Sequence, residues 1–149
     1  MQRILPLTSD WAVLDRTIDG MTPVGTTNVT IGTIWGAATL STGVPLTGAA
    51  PAGTAGLTKY MIVLTDGDNT QNRFTSNPNA IDQRTRTACQ TAKDASIRVY
   101  TIRVIDGNRD LLRGCASKTD MYYEVSNATQ LGPVFDAIAR EISAVRLTM

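Results

Sequence analysis

The chain has 149 residues, 42% of them hydrophobic, with 14 basic and 13 acidic side chains, a net charge of +1 and no histidine. That is enough chain for one core, and a balance this even argues against nucleic acid or a membrane surface held by bulk charge. Without histidine there are no Ser-His or Cys-His nucleophilic pairs, no His-bound zinc and no usual neutral-pH base, while 5% aromatic content argues against a base-stacking platform.

In chain order, ILPL and its flanks (3–7) read as a short strand, and Thr8 or Ser9 as the cap of a helix with Trp11, Leu14, Ile18 and Met21 on one face. Gly20 and Pro23 end that helix, and GTTN (25–28) opens a second over about 28–41, with Ile31, Ile34, Trp35 and Ala38 available for packing. The uncharged, Gly/Pro/Ala/Thr-rich stretch 42–57 reads as a flexible, exposed insertion loop. KYMIVLT (59–65) reads as a strand apolar on both faces, hence central in a sheet, and is followed by a polar loop. A helix over 81–96 offers Ile81, Ala88, Ala92 and Ala95 as a small-residue face, and IRVYTIRV (97–104) is the most β-branched strand candidate. A short helix near 108–117, a small strand at 121–125 and a helix at 128–146, striped by Leu131, Val134, Phe135, Ile138, Ile142 and Val145, complete the chain.

Strands and helices alternate with long crossovers, which predicts an α/β fold: one domain over 1–149, doubly wound in three layers, with a mainly parallel sheet and helices on both faces. Ligands of such folds sit beyond the carboxyl ends of the strands, where GTTN and TDGDNT (65–70) both fall. No window holds the ~18 apolar residues of a membrane span, and the first residues lack a basic-then-apolar leader. The opening MQRILPLTSD reads like the interior of a domain, so we expect the chain to be the end of a longer protein, with any export signal or anchor upstream.

Cys89 and Cys115, 26 residues apart, fit no CxxC metal or redox motif. They suit two buried thiols in the cytosol or one disulfide after export.

TDGDNT supports two chemistries. Asp66-Gly67-Asp68-Asn69-Thr70 matches DxDxT and resembles the opening motif of haloacid-dehalogenase phosphatases, which would make Asp66 a nucleophile, Asp68 the acid/base and magnesium the cofactor. That chemistry also needs a hydroxyl, a basic residue and further acidic ligands. Thr101, Lys93, Asp106 and Asp110 are the candidates, with Thr101 inside its strand rather than at its end. An EF-hand register fails, with Gln71 where glycine and Asn77 where glutamate belong.

A strand ending in T-D-G, preceded by GTTN opening a helix, resembles the von Willebrand factor A domain. Its metal-ion-dependent adhesion site draws oxygen ligands from three loops: a DxSxS, a threonine and an aspartate. Mapped residue by residue, the resemblance makes Thr27 and Asp66 metal ligands; Asp68 and Asn69 read as solvated loop residues, with an outer contact to the metal site as the alternative. ILPLTSD, GTTNVTIGTIWGAATLS, KYMIVLTDGDNT, ACQTAKDASIRVYTI, LLRGCAS and YYEVSNATQL further resemble, in order, the carboxy-terminal part of TadG-like (tight-adherence pilus assembly) proteins. That resemblance implies a non-catalytic adhesion or scaffolding domain with protein partners, a bacterial envelope location and a Cys89–Cys115 disulfide. No DxSxS occurs, and the family's first strands have no counterpart. Of a family sheet ordered 3-2-1-4-5-6, strands 3, 4, 5 and 6 would remain, strand 59–65 would lack a neighbour, and self-association would follow. Magnesium would bind weakly or not at all to this chain alone. The same residues also suit simpler roles, Thr27 as a helix cap and Asp66 as a turn residue.

Overall fold

A computed structural model describes residues 3–22 and 24–146. Helices α1 (Trp11–Asp19) and α2 (Val29–Thr39) precede strand β1 (Lys59–Thr65). Helix α3 (Pro78–Asp94), strand β2 (Ile97–Val104), helix α4 (Arg109–Cys115), strand β3 (Tyr122–Val125) and helix α5 (Leu131–Arg146) follow. The three strands are parallel in the order β1-β2-β3, with Lys59 opposite Ile97 and Thr101 opposite Tyr122. The α/β architecture expected from the alternation is therefore present.

Side-chain alternation in β2 sorts the core into two layers. Ile97 and Val99 pack with Met61, Val63 and Ala92, beneath Val29, Ala37 and Leu40 of α2. On the opposite face Tyr100, Ile102 and Val104 meet Ile138 of α5, with Leu131, Val134 and Ile142 closing over them. Helices α2, α3 and α4 thus cover one face and α5 the other. The predicted stripe of α5 packs as expected except for Phe135, which is 42% exposed; the Val145 side chain lies outside the described residues.

Five expectations are corrected. Residues 3–7 form no strand and are mostly exposed, so the sheet has three strands, not four, among the described residues. Strand β1 lies at the sheet's edge, with Ile62 38% and Leu64 44% exposed. Its two-faced apolar pattern signals burial, and the neighbour that would supply it is not among the described residues. Asp10, not Thr8 or Ser9, caps α1 by accepting from the Val13 N–H; Thr8 Oγ1 instead accepts from the Asp10 N–H. The α1 face buries nothing, and Trp11 is 76% exposed: its periodicity is real, but no sheet surface receives it. Helix α3 starts earlier than expected, because Asn77 accepts from the Asn79 and Ala80 N–H groups and Pro78 occupies the first turn, where a missing N–H costs nothing.

Helix α2 is also turned relative to expectation. Ile31 and Ile34 are exposed, whereas Thr30 and Thr33 are buried. Thr33 satisfies itself by donating to the Val29 carbonyl, and Thr30 shares a 2.7 Å hydrogen bond with Thr85 of α3. The helix can bury hydroxyls because each has a partner. The segment 42–57 has neither helix nor strand and is mostly exposed, with Ala49 buried. Cys89 and Cys115 form a disulfide with Cα atoms 5.1 Å apart, packed with Leu111 between α3 and α4.

Candidate functional site

The carboxyl ends of β1 and β2 and the amino ends of α2, α3 and α4 meet at one end of the sheet, as parallel crossovers require. Thr65 ends β1, and its hydroxyl both donates to the Gly67 carbonyl and accepts from the Gly67 N–H. This side chain closes the turn, so Asp66 does not have to. Its carboxylate is exposed and, among the described residues, enters no hydrogen bond. The loop after β2 presses on the same turn. A Cβ on Gly107 would lie 3.2 Å from the Gly67 carbonyl oxygen, and its φ of +114° is one only glycine adopts readily.

Thr27 is brought to this turn by backbone pairing. The Thr27 N–H donates to Thr70 Oγ1, the Thr70 N–H donates to the Thr27 carbonyl at 3.1 Å, and Asn28 Nδ2 donates to the Gln71 carbonyl. The Val29 N–H donates to Asn69 Oδ1 at 2.8 Å. The 27–29 and 69–71 segments are thereby zipped together, and the Thr27 hydroxyl lies 3.6 Å from where a Gly67 Cβ would be. Thr27 is not the helix cap: Asn28 caps α2, accepting from the Ile31 N–H. Both simpler roles considered for Thr27 and Asp66 are thus filled by neighbours, leaving a hydroxyl and a carboxylate on adjoining loops.

Asn69, expected in a solvated loop, is only 2% exposed and is central to the interior of this end. Its Nδ2 donates to Asp82 Oδ1 at 2.8 Å and to Thr85 Oγ1 at 3.2 Å. Asp82, 6% exposed, also accepts from Asn108 Nδ2 at 2.7 Å through its other oxygen. Asn108 Oδ1 in turn caps α4 by accepting from the Leu111 N–H. One buried carboxylate on α3 therefore orients two amides, one holding the amino end of α2 and the other that of α4. Sequence reasoning missed Asp82. The signal was available, since a charged residue at 82 shares a helix face with Thr85 and Cys89, which are also buried. Asp68 is exposed and takes no part in this network.

The phosphatase set does not assemble. Thr101 is fully buried in mid-strand, its hydroxyl donating to the Leu112 carbonyl. Lys93 lies in the last turn of α3, at the opposite end of the sheet from Asp66, and donates to the Gly114 carbonyl. Asp106 accepts from the Gly107 N–H and faces Arg103, and Asp110 opens α4.

As a cation seat, Thr27 and Asp66 have the right chemistry but supply only part of it. A hydroxyl and a carboxylate are hard oxygen donors of the kind magnesium takes while keeping several waters. Among the described residues no three Asp, Glu, His or Cys side chains group as a metal site. Were a cation seated here, Thr27 and Asp66 would supply two donors of its octahedron, and water or residues outside the chain the rest.

Comparison with known proteins bears on the fold. No curated protein matches the chain. The solved structures that share the fold include proximal thread matrix protein 1 from the mussel byssus (19% identity, TM-score 0.60, covering 95% of this chain and 29% of that one) and the pilus adhesin SpaC from Lactobacillus rhamnosus GG (16%, 0.68, 91% and 21%). A further structure of the mussel protein, at 19% identity and TM-score 0.60 over 95% of this chain and 30% of that one, carries a zinc-occupied MIDAS motif. The chain thus spans less than a third of the length of the solved structures it matches. The family model for the von Willebrand factor type A domain matches residues 14–137, most of the chain, and this chain belongs to that family.

Proposed function

We propose that this chain is a non-catalytic adhesion or scaffolding module that engages a protein partner through its Thr27–Asp66 face. One observation carries the reading. Pairing between 27–29 and 69–71 brings the Thr27 hydroxyl to the turn that follows the exposed Asp66 carboxylate, while the hydroxyl and lysine that phosphoryl transfer would need, Thr101 and Lys93, are respectively buried in mid-strand and at the far end of the sheet. Magnesium assistance follows as a weak or absent property of this chain alone, since two donors contribute one charge to an ion that dehydrates reluctantly.

The finer reading is a domain of a TadG-like protein of a pilus-assembly apparatus in the bacterial envelope, periplasmic or surface-exposed. The disulfide supports an oxidising compartment. The adhesin description of the SpaC structure supports an adhesive role, and the MIDAS description of the mussel structure supports a cation at the equivalent face.

The competing reading, a magnesium phosphatase with Asp66 as nucleophile, is tested directly with p-nitrophenyl phosphate and magnesium. We expect no turnover above buffer for the wild type or for Asp66→Asn. Hydrolysis by the wild type that Asp66→Asn abolishes would overturn the adhesion reading.

A further inference from the structure

We infer that a second surface, the groove between α2 and α3 beside the candidate site, docks an acidic segment of a partner protein that also carries apolar side chains. The groove encloses about 550 Å³ and is lined by Ile31 and Ile34 of α2, Arg84 and Thr87 of α3, and Arg73 and Phe74 of the intervening loop.

Phe74 is one of two phenylalanines in the chain and is 67% exposed. It is not exposed on a slack loop. Asn72 Oδ1 accepts from both the Phe74 and Thr75 N–H groups at 2.8 Å, and the Asn72 N–H donates to the Thr75 carbonyl at 3.0 Å. The turn is closed twice over, and its side chain holds the ring out towards solvent. Ile31 and Ile34, at 43% and 52% exposure, extend the apolar surface along the next helix. A held aromatic beside aliphatic side chains and arginine has the composition of an interface centre.

Charge identifies the occupant. The Arg73 and Arg84 guanidinium carbons lie 5.1 and 4.8 Å from the centroid of the Phe74 ring. Stacking on a ring leaves the edge N–H donors of a guanidinium free for a carboxylate. The ion pairs of the described residues are Arg103 with Asp106 and Glu124, and Arg109 with Glu124; Arg73 and Arg84 belong to none. No acidic residue lines the groove. Two positive forks over an apolar floor favour Asp or Glu alternating with aliphatic residues. Asn28, which also lines the groove, adjoins Thr27, so one partner segment can run from the groove onto the Thr27–Asp66 face.

The test is selection from a random displayed peptide library on the folded chain, with Arg73→Glu/Arg84→Glu and Phe74→Ala as parallel baits. These exposed positions allow all three proteins to be matched for thermal stability beforehand. We expect enrichment of peptides with at least two acidic and two aliphatic residues, at least tenfold weaker on either variant, and weakened by salt. Three outcomes would overturn the inference: no enrichment, enrichment of peptides lacking acidic residues, or equal retention by the charge-reversed variant. Binding to anionic vesicles or single-stranded DNA with no peptide selected would also overturn it, because the surface would then be a general anion binder.

Discussion

At the scale of single residues, the end of the sheet that carries Thr27 and Asp66 depends on a carboxylate behind it rather than on the loops that display them. Asp82 accepts from two amides, and Asp82→Asn would leave one acceptor for two donors. Either Asn69 or Asn108 would then turn and release the N–H it holds, at the amino end of α2 or of α4. We expect Asp82→Asn to cost about 1–3 kcal/mol in urea unfolding, the usual cost of a buried polar group left unsatisfied. Amide exchange at Val29 or Leu111 should quicken beyond the global change. Unchanged stability and exchange would show that the network is not needed. Tyr100 is the opposite case. Among the described residues its buried hydroxyl has no partner at full hydrogen-bonding distance and angle, and burial first, then the approach of the Glu141 carboxylate as acceptor and as charge, push its pKa up. Tyr100→Phe should therefore be neutral or stabilising by up to about 1 kcal/mol. A loss of more than about 2 kcal/mol by thermal unfolding would reveal a partner for the hydroxyl.

At the scale of elements, the disulfide and an ion cluster tie the second half of the fold together. The Cys89–Cys115 bridge closes a loop spanning 26 residues between α3 and α4. Chain entropy puts its stabilisation at about 3 kcal/mol. Comparing the wild type with Cys89→Ser/Cys115→Ser in urea should recover most of that, and a double variant as stable as the wild type would contradict it. Glu124 on β3 accepts from Arg109, Tyr122 and Arg103, and the Arg109 hydrogen bond foremost lowers its pKa from 4.5 to about 2. A depressed carboxylate pKa adds stability that is full above the unfolded value and is lost as pH falls through the folded one. Stability attributable to Glu124 should therefore fade between about pH 4.5 and about 2, and Glu124→Gln should flatten that part of an acid titration. Parallel acid curves would contradict the assignment. These elements were largely legible in the sequence, because β2, α3 and α5 have strong periodicity and two-sided or one-sided cores to fill. The failures lie where packing decides. The apolar stripe of α1 has no fully buried residue, and α2 buries Thr30 and Thr33 in preference to isoleucines, Thr30 paired with Thr85 across the helix pair and Thr33 with the Val29 carbonyl.

At the scale of the whole molecule, the α/β class followed from alternation alone, and so did the position of Thr27 and Asp66 beyond the carboxyl ends of the strands. Of the network behind them only the place of Asp82 on the Thr85 and Cys89 face of α3 was legible; its partners Asn69 and Asn108 look like ordinary polar loop residues until the sheet brings α3 beneath the loops. The unfilled edge of β1 was foreseen in kind, although residues 3–7 were expected as a strand and are not one. That edge presents a row of backbone donors and acceptors with Ile62 and Leu64 exposed beside it, and open edges recruit other strands. The central claim is that this face is an adhesive site holding only part of a cation's ligands, and calorimetric titration of the 149-residue chain with magnesium tests it most directly, with light scattering on the same sample. We expect concentration-dependent self-association and magnesium binding that is millimolar or undetectable, with any heat removed by Asp66→Ala. A stable monomer that binds magnesium at micromolar concentration would contradict both the open edge and the incomplete site.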